Sequence, residues 1–261
     1  MKSKHSRNYN SRANRARHSF QNMEIIWGTH AVAAALRNPQ RVIDRLCYVG
    51  EMDEAIRALA EKKNVDFSAV TKDEMRELLR VGVNSVHQGI AAVARPLQQI
   101  SVGDICRHRF VLLLDHVTDP HNVGAIWRNA AAFGVGAVVM TKRHSPSITG
   151  VIAKAAAGAL DFVPYAYVSN LAVTIELLKK NDFTIIGLDE SGKTPVDSFF
   201  DAMIAPPVAL IVGGEGSGMR HLTKKSCDFL ACIRTDPEFS TLNVSCAAAV
   251  GMHAIWRKIC G

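Results

Sequence analysis

The chain has 261 residues, of which 48% are hydrophobic and 21% are charged, and its formal net charge at pH 7 is +7. Such values are typical of a folded globular protein with one or two domains. The sequence contains no apolar run near the roughly 20 residues that span a bilayer, no apolar signal-peptide core, and no C-x-x-C pair among its six cysteines. The composition therefore excludes a membrane protein and favours a reduced, metal-free protein of the cytoplasm.

The positive charge is concentrated at the N-terminus. Residues 1–22 contain no acidic residue and six basic ones, Lys2, Lys4, Arg7, Arg12, Arg15 and Arg17. Subtracting these six from the 31 basic residues leaves 25, against 24 acidic residues. The polar composition predicts a disordered tail, which suits a polyanion such as nucleic acid. A solvated tail that only aids solubility is an equally good interpretation, and a transit peptide is a weaker one because an apolar helical face is missing.

From Ile25 onward, helical and extended patterns alternate. The first half predicts the helices "GTHAVAAALRN", "MDEAIRALAEKKN" and "TKDEMRELLR" and the strands "RLCYVG", "VDFSAV" and "GIAAVARP". Alternation of this kind indicates an α/β layer fold. Pro96 and the polar segment after it are typical of a linker. We therefore predict a first domain over 23–97, a linker over 98–108 and a second domain over 109–261.

The second half predicts a predominantly parallel sheet. Its strands are "FVLLLD", "GAVVM", "FVPYAYV", "FTIIGLD", "PVALIVGG" and "CDFLACI". The predicted helices start at about Pro120, cover "GVIAKAAAGAL" and "LAVTIELLKKN", and close the chain over about 243–259. In such sheets ligands bind beyond the carboxyl ends of the strands. The loops 115–124, 213–218 and 233–243 are therefore the candidate site.

The first of these loops leads into a helix. Asp119 followed by Pro120 is a helix-start signature, so we interpret Asp119 as an N-cap rather than a catalyst. Gly124 costs roughly 1 kcal/mol inside a helix relative to alanine, which indicates close approach of a backbone or a ligand. Arg128 lies on the same face, four residues on. Its apolar neighbours make a buried structural ion pair as good an interpretation as a functional arginine.

The second and third loops are polar in different ways. The segment Gly213–Gly218 is glycine-rich but contains Glu215, and its spacing fits neither common phosphate-binding motif. In the third loop, Asn243 or Ser245 can cap a helix of small residues. Taken alone, Asn243 is best explained as that cap.

Taken together, the three loops indicate a function far more specifically than any one of them does alone. Asn122-x-Gly124-x-x-x-Arg128, Gly213-x-Glu215-Gly216-x-Gly218 and Leu242-Asn243-Val244-Ser245 resemble the three ordered motifs of the SpoU (TrmH) family of RNA ribose methyltransferases. The resemblance covers residues 23–261. In addition, "VHQGIAAVARP" is similar to the end of the ribosomal-protein-like substrate-binding domain found in the branch that methylates a guanosine of 23S rRNA.

The resemblance implies a SPOUT fold, an α/β catalytic domain with a C-terminal trefoil knot, preceded by a small α/β substrate-binding domain. It also implies S-adenosylmethionine as cofactor, RNA as substrate (not DNA) and a homodimer. The implied catalytic residues are Arg128, Asn122, Glu215, Asn243 and Thr241. The implied cofactor-binding residues are Gly213, Gly216, Ile233 and Leu242, and no metal is implied.

The chain departs from the family pattern at three places. Asn129 stands where serine or threonine is usual, and Thr241 stands where serine is usual. In the third motif, "IRTDPEF" replaces the usual I-P-M segment and the glycine-containing loop that follows it. Two alternatives to rRNA methylation therefore stay open. One is the same chemistry on tRNA, although tRNA-type relatives often lack the first domain. The other is an RNA-binding ribosome assembly factor with weak or no catalysis.

Overall fold

The computed structural model describes residues 23–79, 87–199, 206–216 and 218–259, so the predicted tail over 1–22 lies outside the described residues. The chain forms two compact units that divide between Leu97 and Gln98. Each unit contains its own sheet.

The first unit has a four-stranded sheet with the strand order β1-β4-β2-β3. The strands are β1 (Glu24–Trp27), β2 (Ile43–Tyr48), β3 (Asp66–Ala69) and β4 (Ile90–Ala94). The helices described in this unit are α1 (Thr29–Arg37), α2 (Glu54–Lys62) and α3 (Lys72–Leu79). The pair β2–β3 is parallel, whereas β4 is antiparallel to both of its neighbours. The predicted alternation of helices and strands is confirmed here.

Two of the three helices described in the first unit, α2 and α3, begin at side-chain caps. Asp53 accepts a 3.1 Å hydrogen bond from the backbone N–H of Ile56, at the start of α2. Before α3, Thr71 Oγ1 accepts from the N–H of Glu74, and the Glu74 carboxylate accepts from the N–H of Thr71 at 2.7 Å. This reciprocal capping box satisfies amide groups that have no partner inside the helix. It also holds the pKa of Glu74 below its ordinary value.

The second unit has a seven-stranded, entirely parallel sheet with the order β7-β6-β5-β10-β8-β11-β9. Its strands are β5 (Phe110–Asp115), β6 (Ala137–Thr141), β7 (Tyr165–Val168), β8 (Thr184–Leu188), β9 (Thr194–Pro195), β10 (Val208–Gly213) and β11 (Phe229–Cys232). Its described helices are α4 (Val102–Ile105), α5 (Pro120–Ala132), α6 (Gly150–Ala155), α7 (Leu171–Lys180), α8 (Val196–Phe199), α9 (His221–Ser226) and α10 (Val244–Ile259). The predicted parallel sheet and α/β class are confirmed.

Strand β10 lies in the middle of this sheet, between β5 and β8. Val208 is opposite both Phe110 and Thr184, and Gly213 is opposite Asp115. Every residue of β5 and β6 is buried, as expected for parallel strands covered on both faces. The carboxyl ends of β5 and β10 therefore lie side by side, and the loops that follow them meet.

Two segments differ from the sequence prediction. Residues 98–108, predicted as a linker, belong to the second unit; they contain α4, and Ile105 is fully buried in its core. Burial of this apolar side chain fixes the segment to the sheet. The helix predicted over "GVIAKAAAGAL" ends at Ala155, because Ala157 and Gly158 adopt left-handed conformations with φ of 50° and 93°. Left-handed residues end a right-handed helix.

Candidate active site

The glycine-rich loop after β10 is fastened to the end of β5 by Asp115. This carboxylate is fully buried, and it accepts from the backbone N–H of Arg220 at 2.9 Å and from Arg220 Nε at 2.8 Å. The backbone N–H of Gly214 donates to the Asp115 carbonyl at 2.9 Å. A buried carboxylate needs such partners to be tolerated. The loop therefore has a defined position beside β5.

Gly213 is required by the way this loop folds back. A Cβ atom added there would lie 2.2 Å from the backbone carbon of Gly218 and 2.2 Å from the nitrogen of Met219. Real side chains do not approach backbone atoms this closely. The glycine therefore permits a tight return of the chain and leaves bare backbone facing the adjacent space.

Helix α5 brings the first motif to the same edge. Asp119 accepts from the N–H of His121 at 2.9 Å, so the prediction that Asp119 is an N-cap is confirmed. Gly124 packs against α6, where an added Cβ atom would lie 2.4 Å from the Cβ of Ala155. The predicted close approach at Gly124 is confirmed, and the neighbour is a helix. This packing fixes the first turn of α5, which carries Asn122.

Three polar side chains, one from each motif, form a closed hydrogen-bonded group that we call the motif triangle: Asn122, Glu215 and Asn243. Asn122 Nδ2 donates to Glu215 Oε1 at 2.9 Å, and Asn243 Nδ2 donates to the same oxygen at 2.8 Å. Asn243 Nδ2 also lies 3.0 Å from Asn122 Oδ1, which accepts. A carboxylate oxygen that accepts two amide N–H groups is held in one orientation.

Asn243 also caps α10, as predicted. Its Oδ1 accepts from the backbone N–H of Ser245 at 2.9 Å and from Ser245 Oγ at 2.6 Å. Asn129, which replaces the usual serine or threonine, donates through Nδ2 to the Ser245 carbonyl at 3.4 Å. The Asn243 side chain therefore caps α10 and also belongs to the motif triangle.

The motif triangle borders a cavity of about 700 Å³. Among the residues predicted from the sequence, those that line it are Gly213, Glu215, Gly216, Ile233, Thr241, Leu242 and Asn243. Asn122 touches this group through its hydrogen bonds to Glu215 and Asn243. The three loops that were predicted from their positions at the ends of strands are therefore brought together at one edge of the sheet.

Arg128 lies apart from the cavity lining, on the exposed face of α5. Within the described residues no carboxylate forms an ion pair with it. The interpretation as a buried structural ion pair is therefore wrong. The apolar residues beside Arg128 in the sequence face the core, as Trp127 and Ala130 are fully buried, and the helical period turns the guanidinium outward.

Sequence reasoning missed the contribution of β8 to the cavity. Leu188, Asp189 and Glu190 line it together with Lys224. Asp189 is buried and accepts from Lys224 Nζ at 2.8 Å and from Ser191 Oγ at 2.5 Å. Burial raises the pKa of the Asp189 carboxyl, but the hydrogen bonds from Lys224 and Ser191 outweigh it, so the pKa is below its ordinary value. The available signal was "FTIIGLD", a strand that ends in an acid.

In the described part of the chain, no group of three or more His, Cys, Asp or Glu side chains is arranged to hold a metal ion. None of the helices in the same residues combines the length and the apolar character needed to cross a bilayer.

Comparison with known proteins identifies both units. Residues 25–100 match the family described as RNA 2'-O ribose methyltransferase substrate binding, and residues 109–253 match the SpoU rRNA Methylase family. The 23S rRNA (guanosine-2'-O-)-methyltransferase RlmB of Vibrio parahaemolyticus is 36% identical, over 90% of this chain and 97% of its own length. An uncharacterized tRNA/rRNA methyltransferase of Synechocystis is 34% identical over 90% of this chain, which spans only 63% of that relative.

A solved structure shares the fold. The SpoU methyltransferase AviRb of Streptomyces viridochromogenes, crystallised with AdoMet, superimposes with a TM-score of 0.77 at 22% identity, covering 97% of this chain and 93% of that one. The matches to the two family models confirm the family predicted from the three motifs. The chain belongs to the SpoU rRNA methylase family, with a substrate-binding unit followed by a SpoU methylase unit.

Proposed function

We propose that the protein transfers a methyl group from S-adenosylmethionine to the ribose 2'-hydroxyl of a guanosine in 23S rRNA, in the cytoplasm. The observation that carries the proposal is the motif triangle on the wall of the 700 Å³ cavity. This chain covers 97% of the length of a relative named 23S rRNA (guanosine-2'-O-)-methyltransferase. The first unit matches an RNA 2'-O ribose methyltransferase substrate-binding family. Because tRNA-type relatives often lack such a unit, this match favours rRNA over tRNA.

The cavity fits the cofactor. Gly213 and Gly216 present backbone without side chains, Ile233 and Leu242 add apolar surface, and Glu215 is an acid beside the space that a positive sulfonium would enter. Phosphate-binding loops exclude such an acid, whereas a cation tolerates it. When bound, S-adenosylmethionine supplies the methyl group on an electrophilic sulfonium.

Within this proposal the protein's side chains position the ribose. Asn122, Glu215 and Asn243 fix the polar wall, and Thr241 contributes a hydroxyl on the cavity lining. Arg128 orients the RNA and stabilises the negative charge that develops on the 2'-oxygen. Its guanidinium keeps its own proton at neutral pH, so it is not the general base.

The exposure of Arg128 supports a homodimer. An aromatic group is formed by Phe133 at the end of α5 with His253 and Trp256 on α10, and the centroids of these rings lie 5.5 to 6.4 Å apart. We propose that this surface pairs with a second copy, which would bring Arg128 to the partner's cavity. The same proposal includes the C-terminal trefoil knot of the SPOUT fold. A dimeric mass in light scattering at micromolar concentration checks the pairing.

The test of the function is a map of ribose methylation in total RNA from cells with and without the gene. We expect one 23S guanosine to lose its 2'-O-methyl group and to regain it with the parent gene but not with a Glu215→Gln variant. Loss of a methyl group from tRNA instead would show that the substrate is tRNA and not 23S rRNA.

A second candidate is an assembly factor without catalysis, favoured by the "IRTDPEF" segment on the cavity side of the third loop. Calorimetry separates the two. The enzyme binds S-adenosylmethionine at one site per subunit, whereas an assembly factor that has lost the site shows no heat at millimolar cofactor.

A further inference from the structure

The third loop displays an aromatic ring that neither the motifs nor the motif triangle explains. Phe239 lines the cavity, and it is 75% exposed, more than any other described large hydrophobic residue. A single exposed apolar residue is ordinary on a protein surface. At the wall of a cavity, however, a phenyl ring adds a large apolar area that a bound ligand can cover.

Hydrogen bonds within the loop fix the backbone that carries Phe239. The backbone N–H of Phe239 donates to the Asp236 carbonyl at 3.1 Å, and the N–H of Glu238 donates to Asp236 Oδ1 at 2.8 Å. Pro237 follows Asp236, at the turn position where its fixed φ is favourable. Thr235 Oγ1 donates to the Ser240 carbonyl at 3.5 Å across the base of the loop. Because the turn closes on itself, the backbone at Phe239 needs little further ordering on binding.

The lining of the cavity and the chemistry of the cofactor indicate which part of the cofactor Phe239 meets. Ile233 and Leu242 line the same cavity, and Leu242 is 45% exposed. The methionyl group of S-adenosylmethionine carries an ammonium and a carboxylate, which need polar partners, and a phenyl ring offers none. Adenine is flat and stacks on aromatic side chains.

We propose that Phe239 is a cofactor-binding residue on which the adenine ring of S-adenosylmethionine stacks, so that the loop 235–240 covers the adenosine. This inference rests on the proposed function, because it assumes the same cofactor in the same cavity. It also gives a role to the "DPEF" segment by which the chain departs from the usual third motif.

The test uses the full-length protein and two stable probes. S-adenosylhomocysteine contains both adenosine and the amino-acid group, whereas 5'-methylthioadenosine lacks the amino-acid group. Calorimetry compares the parent with Phe239→Ala and Phe239→Trp. The matched control is Phe162→Ala, which removes a phenyl ring that is 67% exposed but does not line the cavity.

We expect Phe239→Ala to weaken binding of both probes by a similar factor, about five- to 150-fold. Phe239→Trp should bind within a few-fold of the parent, and Phe162→Ala should be unchanged. Equal affinity of the parent and Phe239→Ala would overturn the proposal, as would a loss confined to S-adenosylhomocysteine, which would place the ring against the amino-acid group. If the parent binds neither probe, the proposed function itself fails.

Discussion

The side chains of Asn122 and Asn243 are hydrogen-bonded at 3.0 Å although 121 positions separate them in the chain. Glu215 connects them, because its Oε1 accepts from both amides. Three distant segments thus depend on one another for their side-chain positions. Hydrogen-bonded groups of this kind lose more than one pairwise contact when a member changes.

The first prediction concerns Asn243→Asp. The new carboxylate keeps the acceptor that caps α10, but it loses the donor and lies beside Glu215, at the site of a 2.8 Å hydrogen bond. We expect single-turnover methylation to fall about 100-fold or more, because a preorganised polar wall is lost. Asn243→Ala is the comparison, since it loses the cap as well, at about 1 kcal/mol of stability. Parent-like turnover in the aspartate variant would show that the triangle is dispensable.

A second prediction separates catalysis from stability at Arg128. The arginine is exposed and forms no ion pair within the described residues, so Arg128→Lys should leave the melting temperature within about 1 °C of the parent. Turnover should fall on the order of 100- to 1000-fold, since lysine lacks the planar fork of donors. Arg107→Lys, at another exposed arginine, is the control and should change neither quantity. A variant that melts early and retains activity would assign Arg128 a structural role.

Gly124→Ala should destabilise the second unit. The added Cβ atom would lie 2.4 Å from Ala155 Cβ and 3.0 Å from the Ile152 carbonyl oxygen, so α5 and α6 must separate. Overpacking of this kind costs about 1 to 3 kcal/mol, which chemical denaturation measures. Gly103→Ala provides the control, because its Cβ atom meets nothing closer than 3.7 Å. Equal unfolding midpoints for the two variants would contradict the tight contact.

Stability should depend on pH through His116. Burial lowers the pKa of His116 below its ordinary value of 6.5, and Arg220 and His144 lower it further, against the opposing effect of Asp115. The unfolded chain therefore binds a proton at a higher pH than the folded chain does. The stability that His116 contributes should be complete above pH 6.5. The free energy of unfolding should then decrease as the pH falls toward the folded-state pKa of His116.

The matched variant is His116→Asn. Asparagine tolerates the left-handed backbone of this position, where φ is 61°, and does not titrate. Denaturation between pH 5 and 8 should show a smaller decrease for the variant than for the parent. Identical pH profiles would remove His116 from the explanation.

The N-terminal segment gives a prediction that rests on charge alone. Deleting residues 2–22 removes six basic residues, and RNA affinity should become weaker and less dependent on salt. Each lost phosphate contact changes the slope of log affinity against log salt by about 0.7 to 0.9. An unchanged slope would favour the solvated-tail interpretation.

Local signals in the sequence were sufficient for much of the fold. "FVLLLD" coincides with β5 because an apolar run bounded by polar residues leaves little choice of register or length. The Asp119–Pro120 pair placed the start of α5 for a similarly local reason. In contrast, β1 was not predicted, because its four residues gain their structure by pairing with β4 about 70 positions later in the chain, where Glu24 is opposite Ala94.

The site residues that belong to sequence motifs could be predicted. Those that reach the site only through the order of strands in the sheet could not. Asn122, Glu215 and Asn243 were named from their motifs, and the structure brings them together. Asp189 was missed because only the adjacency of β8 and β10 brings it to the cavity. No local pattern records which strand lies beside which. The exposure of Arg128 was likewise a matter of which side of α5 meets the core.

The position of β10 has a consequence for how the protein is made. Strands β5, β6 and β7 lie on one side of it, and β8, β11 and β9 lie on the other. The two groups of strands therefore have no hydrogen-bonded connection until residues 208–213 have emerged from the ribosome. The first unit, which is complete by Leu97, can fold early in translation. The sheet of the second unit cannot be completed until β10 inserts between β5 and β8, which are synthesised earlier. Such non-local pairing makes folding slow. We therefore expect the methylase unit to be the part of the nascent chain that depends most on protection from aggregation.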